Sequence, residues 1–478
     1  MRRASNLAGA VALVTTLSLP ARAQFESSAL AKLQVNVANP GGKSLALGGA
    51  FVALADDATA AFAHPAGLVQ LNAWQAGASV KGFRFSPNFD TRVFAARPQG
   101  TGEAFVPIQS IPFQPTTTVT ELDFASVVAP VVPERLVLSL YRAVDLRYRY
   151  ELDEPRRQFQ VNLEPGDGAP FAIEEQGRVD IRNEVVGLAA ATRLMAGQVP
   201  VDLGAGLTFS RLRYVFDGPG GSYLSRIASF SPDFTDVPVS AAADSSWRPG
   251  FSVGVRSTLD EVSRLSIGAV YRRNGTHDVS YAVGAPFDLA CGEPNDVGFR
   301  GCGTMKSPDD FAFGLSGAVG ELTGSVELQR ILYSQLNDGF VHLYRYFESN
   351  EAGTTWAVPV GASKDATVIR VGLEYGLAVG GSLLYLRAGF FHETAHGTTL
   401  ALKKDDLEPL GVPDDGTDKD FRTLPVDEVL KGVFDGGAAQ DHVTLGVGAS
   451  LFRRLSVDLA WDWSEEASSF SASLFVRF

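Results

Sequence analysis

Along most of its length the chain alternates apolar residues with polar or small ones. Val201, Leu203, Ala205, Leu207 and Phe209 are interleaved with Asp202, Gly204, Gly206, Thr208 and Ser210. The pattern returns in Val443, Leu445, Val447, Ala449 and Leu451. After a tight turn at Arg453 and Arg454 it continues in Leu455, Val457, Leu459, Trp461 and Trp463. A period of two puts successive side chains on opposite faces of a strand, so each segment has one apolar face and one polar or small face. Segments of at least about nine residues, the length a tilted membrane-spanning strand needs, fall at 73–85, 118–128, 135–150, 177–193, 201–215, 248–257, 265–283, 308–318, 323–336, 365–376, 383–395, 441–452, 455–464 and 469–478. That makes fourteen strands.

The connections alternate as well. Short ones fall near 130–134, 196–200, 259–263, 319–322, 377–382 and 453–454, and the others are long apart from the last, near 464–468. Short turns at one end and long loops at the other are the layout of bacterial outer-membrane barrels, and an even strand count returns both termini to the periplasm. No stretch beyond the N-terminus approaches the ~20 apolar residues of a spanning helix. In lipid this chain therefore has one spanning solution, a closed barrel that pairs every backbone group.

One stretch, 44–71, has a different composition. Its small residues, Ala46, Gly48, Gly49, Ala50, Ala53, Ala55, Ala58, Ala60, Ala61 and Ala63, suit tightly packed helical turns bounded by the Gly48–Gly49 pair and by Pro65. Asp56 and Asp57 precede the turn at 58–63 and are placed to cap it or to pair with an inward-facing arginine such as Arg142 or Arg147. The reading is a compact, buried plug that precedes the first strand and folds up into the lumen.

The run Ala53-Leu54-Ala55-Asp56-Asp57-Ala58 followed by His64-Pro65-Ala66 resembles the N-terminal hatch of the FadL-type outer-membrane transporters. That hatch carries a glycine, an A-x-A-D-D-A run and then Asn-Pro-Ala; here His64 stands in place of the Asn. Gly372-Leu373-Glu374-Tyr375 and Arg387-Ala388-Gly389-Phe390 are similar to that family's late strands, and its barrel also has fourteen strands. The closing alternation Phe470, Ala472, Leu474, Val476, Phe478 looks like the terminal insertion signal of outer-membrane barrels. The resemblance implies capture of a hydrophobic solute among extracellular loops, transfer to a pocket in the lumen, and hatch movement that opens a lateral or periplasmic exit.

Composition sharpens the picture. Residues 1–23 have the three parts of a secretory signal: Arg2 and Arg3, an apolar run over 7–19, then Ala21-Arg22-Ala23. Its removal takes three arginines, and the formal charge goes from −13 to −16, which argues against a nucleic-acid partner. The 49 glycines, many of them inside alternating runs, permit bends and close backbone approach. Cys291 and Cys302 are the only cysteines, 11 apart in a loop of an exported chain. A disulfide is expected there, worth about 3 kcal/mol in the chain-entropy picture.

Candidate chemistry is sparse. His392-Glu393-Thr394-Ala395-His396 matches H-E-x-x-H, a zinc motif that works on a helix. Here it follows an alternating strand, and in an extended chain its histidines would lie about 13 Å apart. Gly41-Gly42-Lys43-Ser44 lacks the leading glycine of a phosphate loop, because position 37 is Val37. Arg142, Arg147 and Arg149 either line the lumen or rim or form a cationic spot for the carboxylate of an amphipathic ligand. Phe89, Phe94, Phe105 and Phe113, in the long loop 86–117, either pack that loop or line a capture groove, as do Tyr223, Phe230 and Phe234 in 217–247.

The expectation is an all-β fold: a 14-stranded antiparallel transmembrane β-barrel over 73–478 with a small helical plug at 24–72. It is a monomer in outer-membrane lipid that passively admits hydrophobic small molecules such as long-chain fatty acids, without cofactor, metal or catalytic residues. Phe89, Phe94, Phe105, Arg142 and Arg147 are the candidate ligand residues. Gly48, Gly49, Asp56, Asp57, His64, Pro65 and Ala66 are the candidate hatch residues. The alternative is an accessory barrel of the same build that binds a protein partner instead of a solute.

Overall fold

The computed structural model describes residues 39–86, 89–99, 102–113, 116–162, 168–219, 238–243, 246–283, 299–338, 344–348, 355–359, 361–400, 436–452 and 454–478. The signal segment, Cys291 and the side chain of Cys302 lie outside the described residues. Fourteen strands form the wall: β1 Gln75–Phe85, β2 Thr117–Val132, β3 Leu136–Asn162, β4 Gly168–Ala196, β5 Val199–Pro219, β6 Arg248–Asp260 and β7 Leu265–Arg273. The second half is β8 Asp310–Val319, β9 Leu322–Ile331, β10 Ala366–Val379, β11 Ser382–Glu393, β12 Gln440–Leu451, β13 Leu455–Trp463 and β14 Ala467–Arg477. Each pairs antiparallel with the next, and β1 pairs β14 from Gln75↔Arg477 to Phe85↔Ala467, which closes the barrel.

The period-two pattern decides which way each strand faces. On β12 the exposed residues Val443, Leu445 and Val447 alternate with the buried His442 and Thr444. On β10 the exposed Ile369, Val371 and Leu373 flank the buried Arg370. The apolar face is outermost, the reverse of a water-soluble sandwich, and this inversion is what hydrocarbon requires of a barrel. Among the described residues no helix is long and apolar enough to cross a membrane.

Three expected boundaries need correction. The span read as one strand over 265–283 breaks at Asn274 and Gly275; the Asn274 amide donates to Asp309 Oδ1 at 2.9 Å, and Thr276–Val283 is a separate strand of the same sheet that pairs with Phe299–Lys306 and with Pro238–Ala243, which in turn pairs with the end of β5. β3 and β4 run far beyond 135–150 and 177–193, held by a ladder that reaches Asn162↔Gly168. Alternation fades there because a strand outside hydrocarbon needs no apolar face. The segment read as a loop over 86–117 contains a hairpin, Phe89–Gln99 with Gly102–Phe113.

The plug comprises α1 (Gly42–Ala46), irregular turns, α2 (Ala60–Ala63) and a 3-10 turn, Pro65–Gln70. It is buried against the inner wall, and the wall gives it room through glycines. A Cβ at Gly204 of β5 would lie 2.1 Å from Ala66 N, at Gly254 of β6 2.3 Å from His64 Cδ2, and at Gly389 of β11 2.2 Å from Gly48 N. Gly268, Gly314, Gly372 and Gly446 face the plug in the same way, so seven strands contribute one glycine each to its seat. Gly→Val at 389 is expected to unseat the plug at a cost of about 1–3 kcal/mol while the wall still closes. Gly317→Ala, where the nearest atom to the new Cβ is 3.7 Å away, should change nothing. Limited proteolysis of the plug, alongside heat-modifiable gel mobility of the barrel, separates the two outcomes.

Candidate functional site

Two sides of the lumen hold the plug by different physics. On the side of β2, β3 and β4 the contact is apolar: Phe124, Val128, Val137, Tyr141, Ala143, Val185, Ala189 and Ala191 pack on Leu47, Phe51, Leu68, Val69, Leu71 and the plug alanines. From β6 to β11 the contact is charged and directed at plug backbone. Glu327 Oε2 accepts the amides of Phe51 and Val52 at 2.9 and 2.8 Å, Arg256 donates to the Ala53 carbonyl at 2.8 Å, and Arg370 donates to the Gly48 carbonyl at 3.3 Å. Arg272, bidentate on Asp310, reaches Asn39 Oδ1 at 3.0 Å. These irregular turns cannot satisfy their own backbone, and the wall does so for them.

The hatch residues fall into this frame. Gly48 and Gly49 have φ of 62° and 78°, a left-handed turn that favours glycine. Asp56 does not meet Arg142 or Arg147; it pairs with Lys43 of the plug itself at 2.8 Å, and Lys43 reaches Glu374 at 3.5 Å. Glu374 in turn holds Arg387, which also binds Asp458, so a chain of alternating charge ties the plug to the wall. Asp57 accepts the Thr59 amide at 2.8 Å and caps the turn before α2. Pro65 opens the 3-10 turn and Ala66 lies against Gly204. His64 Nδ1 meets the Val52 carbonyl at 2.7 Å and its ring fills the space left by Gly254 and Gly268.

Electrostatics follow from burial. Burial lowers Lys43, but the Asp56 and Glu374 carboxylates outweigh it and hold the ammonium above its usual range. Burial raises Asp56, but Lys43 more than reverses this. Burial, with the Asp56 charge beside it, pushes Asp57 up to about 6. Burial pushes His64 down to about 4, and Arg256 adds to the effect, so the ring is neutral at pH 7.

The wall is interrupted at one place on the apolar side. The β2–β3 ladder runs from Val132↔Leu136 to Phe124↔Ala143 and stops there, although β2 continues to Thr117 and β3 to Asn162. A bulge at Val144/Leu146 in β3 and a register shift at Ser79/Val80 between β1 and β2 mark the same level. Side chains span the gap instead. Arg142 donates to the Leu122 carbonyl and binds Glu184 at 2.6 Å; Glu121 meets Arg147 at 3.3 Å and Arg182 at 3.0 Å. A cleft opens here, lined by Lys81, Phe83, Val119, Glu121, Asp123, Val144 and Arg147. A file of aromatic contacts leads to it from the plug, Phe62 on Tyr141, Tyr141 on Phe124, with Phe85 on Tyr148 beside the gap.

Of the candidate ligand residues, then, Arg147 lines the cleft and Arg142 braces its edge. Phe89, Phe94 and Phe105 lie on the added hairpin, their side chains outside the described residues. His392 pairs with Asp441 at 2.7 Å, whereas His396 stacks on Tyr333, so the H-E-x-x-H histidines turn to different partners. The wall residues that bond to the plug, Arg256, Arg272, Glu327 and Arg370, were not singled out from sequence. Their signal is a lone charge between outward aliphatics, as in Val326-Glu327-Leu328 and Ile369-Arg370-Val371.

No protein-family model matches the chain, and no curated protein matches it. Solved structures share its fold. A FadL homologue of Pseudomonas aeruginosa is 14% identical, with a TM-score of 0.55, over 93% of this chain and 99% of that one. The toluene transporter TbuX of Ralstonia pickettii is 13% identical, TM-score 0.51, with the same coverage, and the CymD monoaromatic hydrocarbon channel is 15% identical, TM-score 0.50, again over 93% and 99%. The FadL-type fold is thus present at low sequence identity.

Replacing Glu327 by Ala strips two plug amides of their acceptor and leaves Arg370 without its carboxylate. A loss of about 3–5 kcal/mol in plug docking is expected, read as plug proteolysis with the barrel intact. The two shifted groups also oppose each other with pH. His64, depressed from 6.5, contributes stability that is full above pH 6.5 and lost as pH falls through about 4, on the order of 3 kcal/mol. Asp57, raised from 3.8, contributes stability that is full below pH 3.8 and lost as pH rises through about 6. Protection factors of the plug amides, corrected for the intrinsic pH dependence of exchange, should therefore be nearly flat between pH 4 and 7 in the native protein, fall toward acid in Asp57→Asn and rise toward acid in His64→Gln.

Proposed function

We propose that this protein is a passive transporter of the bacterial outer membrane for hydrophobic small molecules, long-chain fatty acids among them, exported by its signal segment and gated by the plug as a hatch. The observation that carries this reading is the interrupted β2–β3 ladder: the wall opens on the side where the lumen is apolar and where aromatic contacts run from Phe62 to the gap. A hydrophobic solute gains binding energy along that side and little along the charged side, at about 25 cal/mol for each Å² of apolar surface removed from water. Leaving between β2 and β3 delivers it to lipid without crossing water. The solved barrels of like fold that are titled toluene transporter and monoaromatic hydrocarbon channel support a hydrophobic cargo.

For an amphipathic acid the cleft places Lys81 and Arg147 beside Phe83, Val119 and Val144, but Glu121 and Asp123 share that lining and Glu121 and Asp180 already hold Arg147, so a headgroup has to displace Glu121 to reach it. The plug would then act as a stopper whose backbone clamp on the charged side stays closed while its apolar side yields.

Uptake of a labelled long-chain fatty acid and of toluene, by cells that lack their own transporter, tests this. The intact protein should restore uptake of at least one of the two and exclude a sugar of similar mass. Val144→Trp, which fills the cleft, should cut uptake by an order of magnitude or more, and deletion of 48–68 should admit the sugar. A folded, inserted protein that moves neither hydrophobe sinks the reading.

A further inference from the structure

The end of the barrel that carries the six short turns has an unusual surface. Every turn has a large, exposed apolar residue at or beside its tip: Val131, Met195, Val262, Val319, Val379 and Phe452. Val262 is 94% exposed, Val319 84% and Phe452 82%, and the terminal Phe478, which continues the ring between the first and last strands, is 79% exposed. Exposed aliphatics scattered singly need no explanation, but one on every turn around a full circle does. Phe452 also has a φ of 51°, a left-handed conformation that a bulky residue adopts at a cost.

The apolar belt explains the ring. On β10 the outward residues Ile369, Val371, Leu373, Tyr375, Leu377 and Val379 are all apolar or aromatic, and the turn at Gly380 follows directly. Ten steps of about 3.4 Å, tilted by about 40°, span about 26 Å, the full height of the ~25 Å band that lipid covers. The upper edge is marked by polar residues, Thr367 on β10 and the exposed Asp441 above Val443 on β12. Below, no strand length is left over, so the band ends at the turn tips.

We propose that these turns are a lipid-binding surface, sunk into the headgroup layer of the periplasmic leaflet, with phospholipid as the partner. Opposite charges lie next to the apolar tips, Glu134 with Arg135 and Glu261 with Arg264, all exposed, which matches the paired phosphate and ammonium of a zwitterionic headgroup. The distribution around the whole circumference fits a lipid annulus; a protein partner would dock on one patch. The consequence is that the lower mouth of the plugged lumen stands level with lipid headgroups. Among the described residues nothing of the barrel projects as a vestibule into the periplasm.

The inference rests on the outer-membrane placement proposed above, and the test separates the two. The full chain, with Cys291→Ser and Cys302→Ser, is labelled with an environment-sensitive fluorophore at Val262→Cys, Val319→Cys or Phe452→Cys. It is reconstituted in phosphatidylethanolamine–phosphatidylglycerol vesicles holding spin-labelled lipid with the spin near the headgroup. Leu373→Cys, in mid-belt, and Asp441→Cys, above it, serve as references. The turn positions should be quenched by lipid to on the order of half the extent of Leu373 or more and be shielded from iodide relative to Asp441. Turn labels as open to iodide as Asp441, with Leu373 quenched by lipid, overturn the lipid surface alone; a water-accessible Leu373 overturns the membrane placement as well. Three sites are used so that one misfolded variant does not decide the result.

Discussion

Closure of the wall depends on the backbone ladder between β1 and β14, and everything else in the molecule accommodates it. Each strand is hydrogen-bonded to both of its neighbours, so the sheet closes on itself without an edge strand, the β2–β3 ladder alone stopping short at Phe124↔Ala143, and side chains are left to divide between two environments. Outside, they must suit hydrocarbon. Inside, they must either fill the lumen or bind what fills it. The plug is the answer to the second demand, and its irregular turns bring in backbone groups that would be orphaned without a polar partner.

That need accounts for the lumen's asymmetry. Seven glycines let the plug backbone approach, and on one side charged wall residues then accept or donate the hydrogen bonds that its turns leave open. Desolvated charges are costly unless paired, and they are: Arg272 with Asp310, Arg387 with Asp458 and Glu374, Arg256 with Asp202. The opposite side binds through Phe124, Tyr141 and small aliphatics alone. The plug is thus held by directed bonds on one side and by apolar packing on the other. The interrupted ladder between β2 and β3 lies on the apolar side.

The same interruption shows how a sheet tolerates a gap. Where the ladder stops, Arg142 takes up the Leu122 carbonyl, Thr117 Oγ1 receives the Glu151 amide, and Glu121 bridges two arginines. Side chains that were candidates for the lumen from their sequence position thus serve the edge of the opening. His64 illustrates the converse: a histidine where the FadL-type hatch has asparagine still bonds locally, through Nδ1 to Val52, because two glycines clear space for the larger ring.

By itself, the sequence determined the elements whose physics is local. Period-two alternation depends only on which residues can face lipid, and it placed the fourteen strands and the six short turns. The small-residue composition of 44–71 marked the plug. Tertiary structure decided whatever depends on partners distant in the chain. Alternation cannot show that Arg147 faces Glu121 or that Asp56 takes Lys43 in place of an arginine, because pairing across a closed ring is set by register and shear. Nor does it show where β2 and β3 part, since both strands keep strand-like sequence through the gap. β3 and β4 outran their expected ends for a related reason: beyond the bilayer the ladder persists while the pressure for an apolar face is gone.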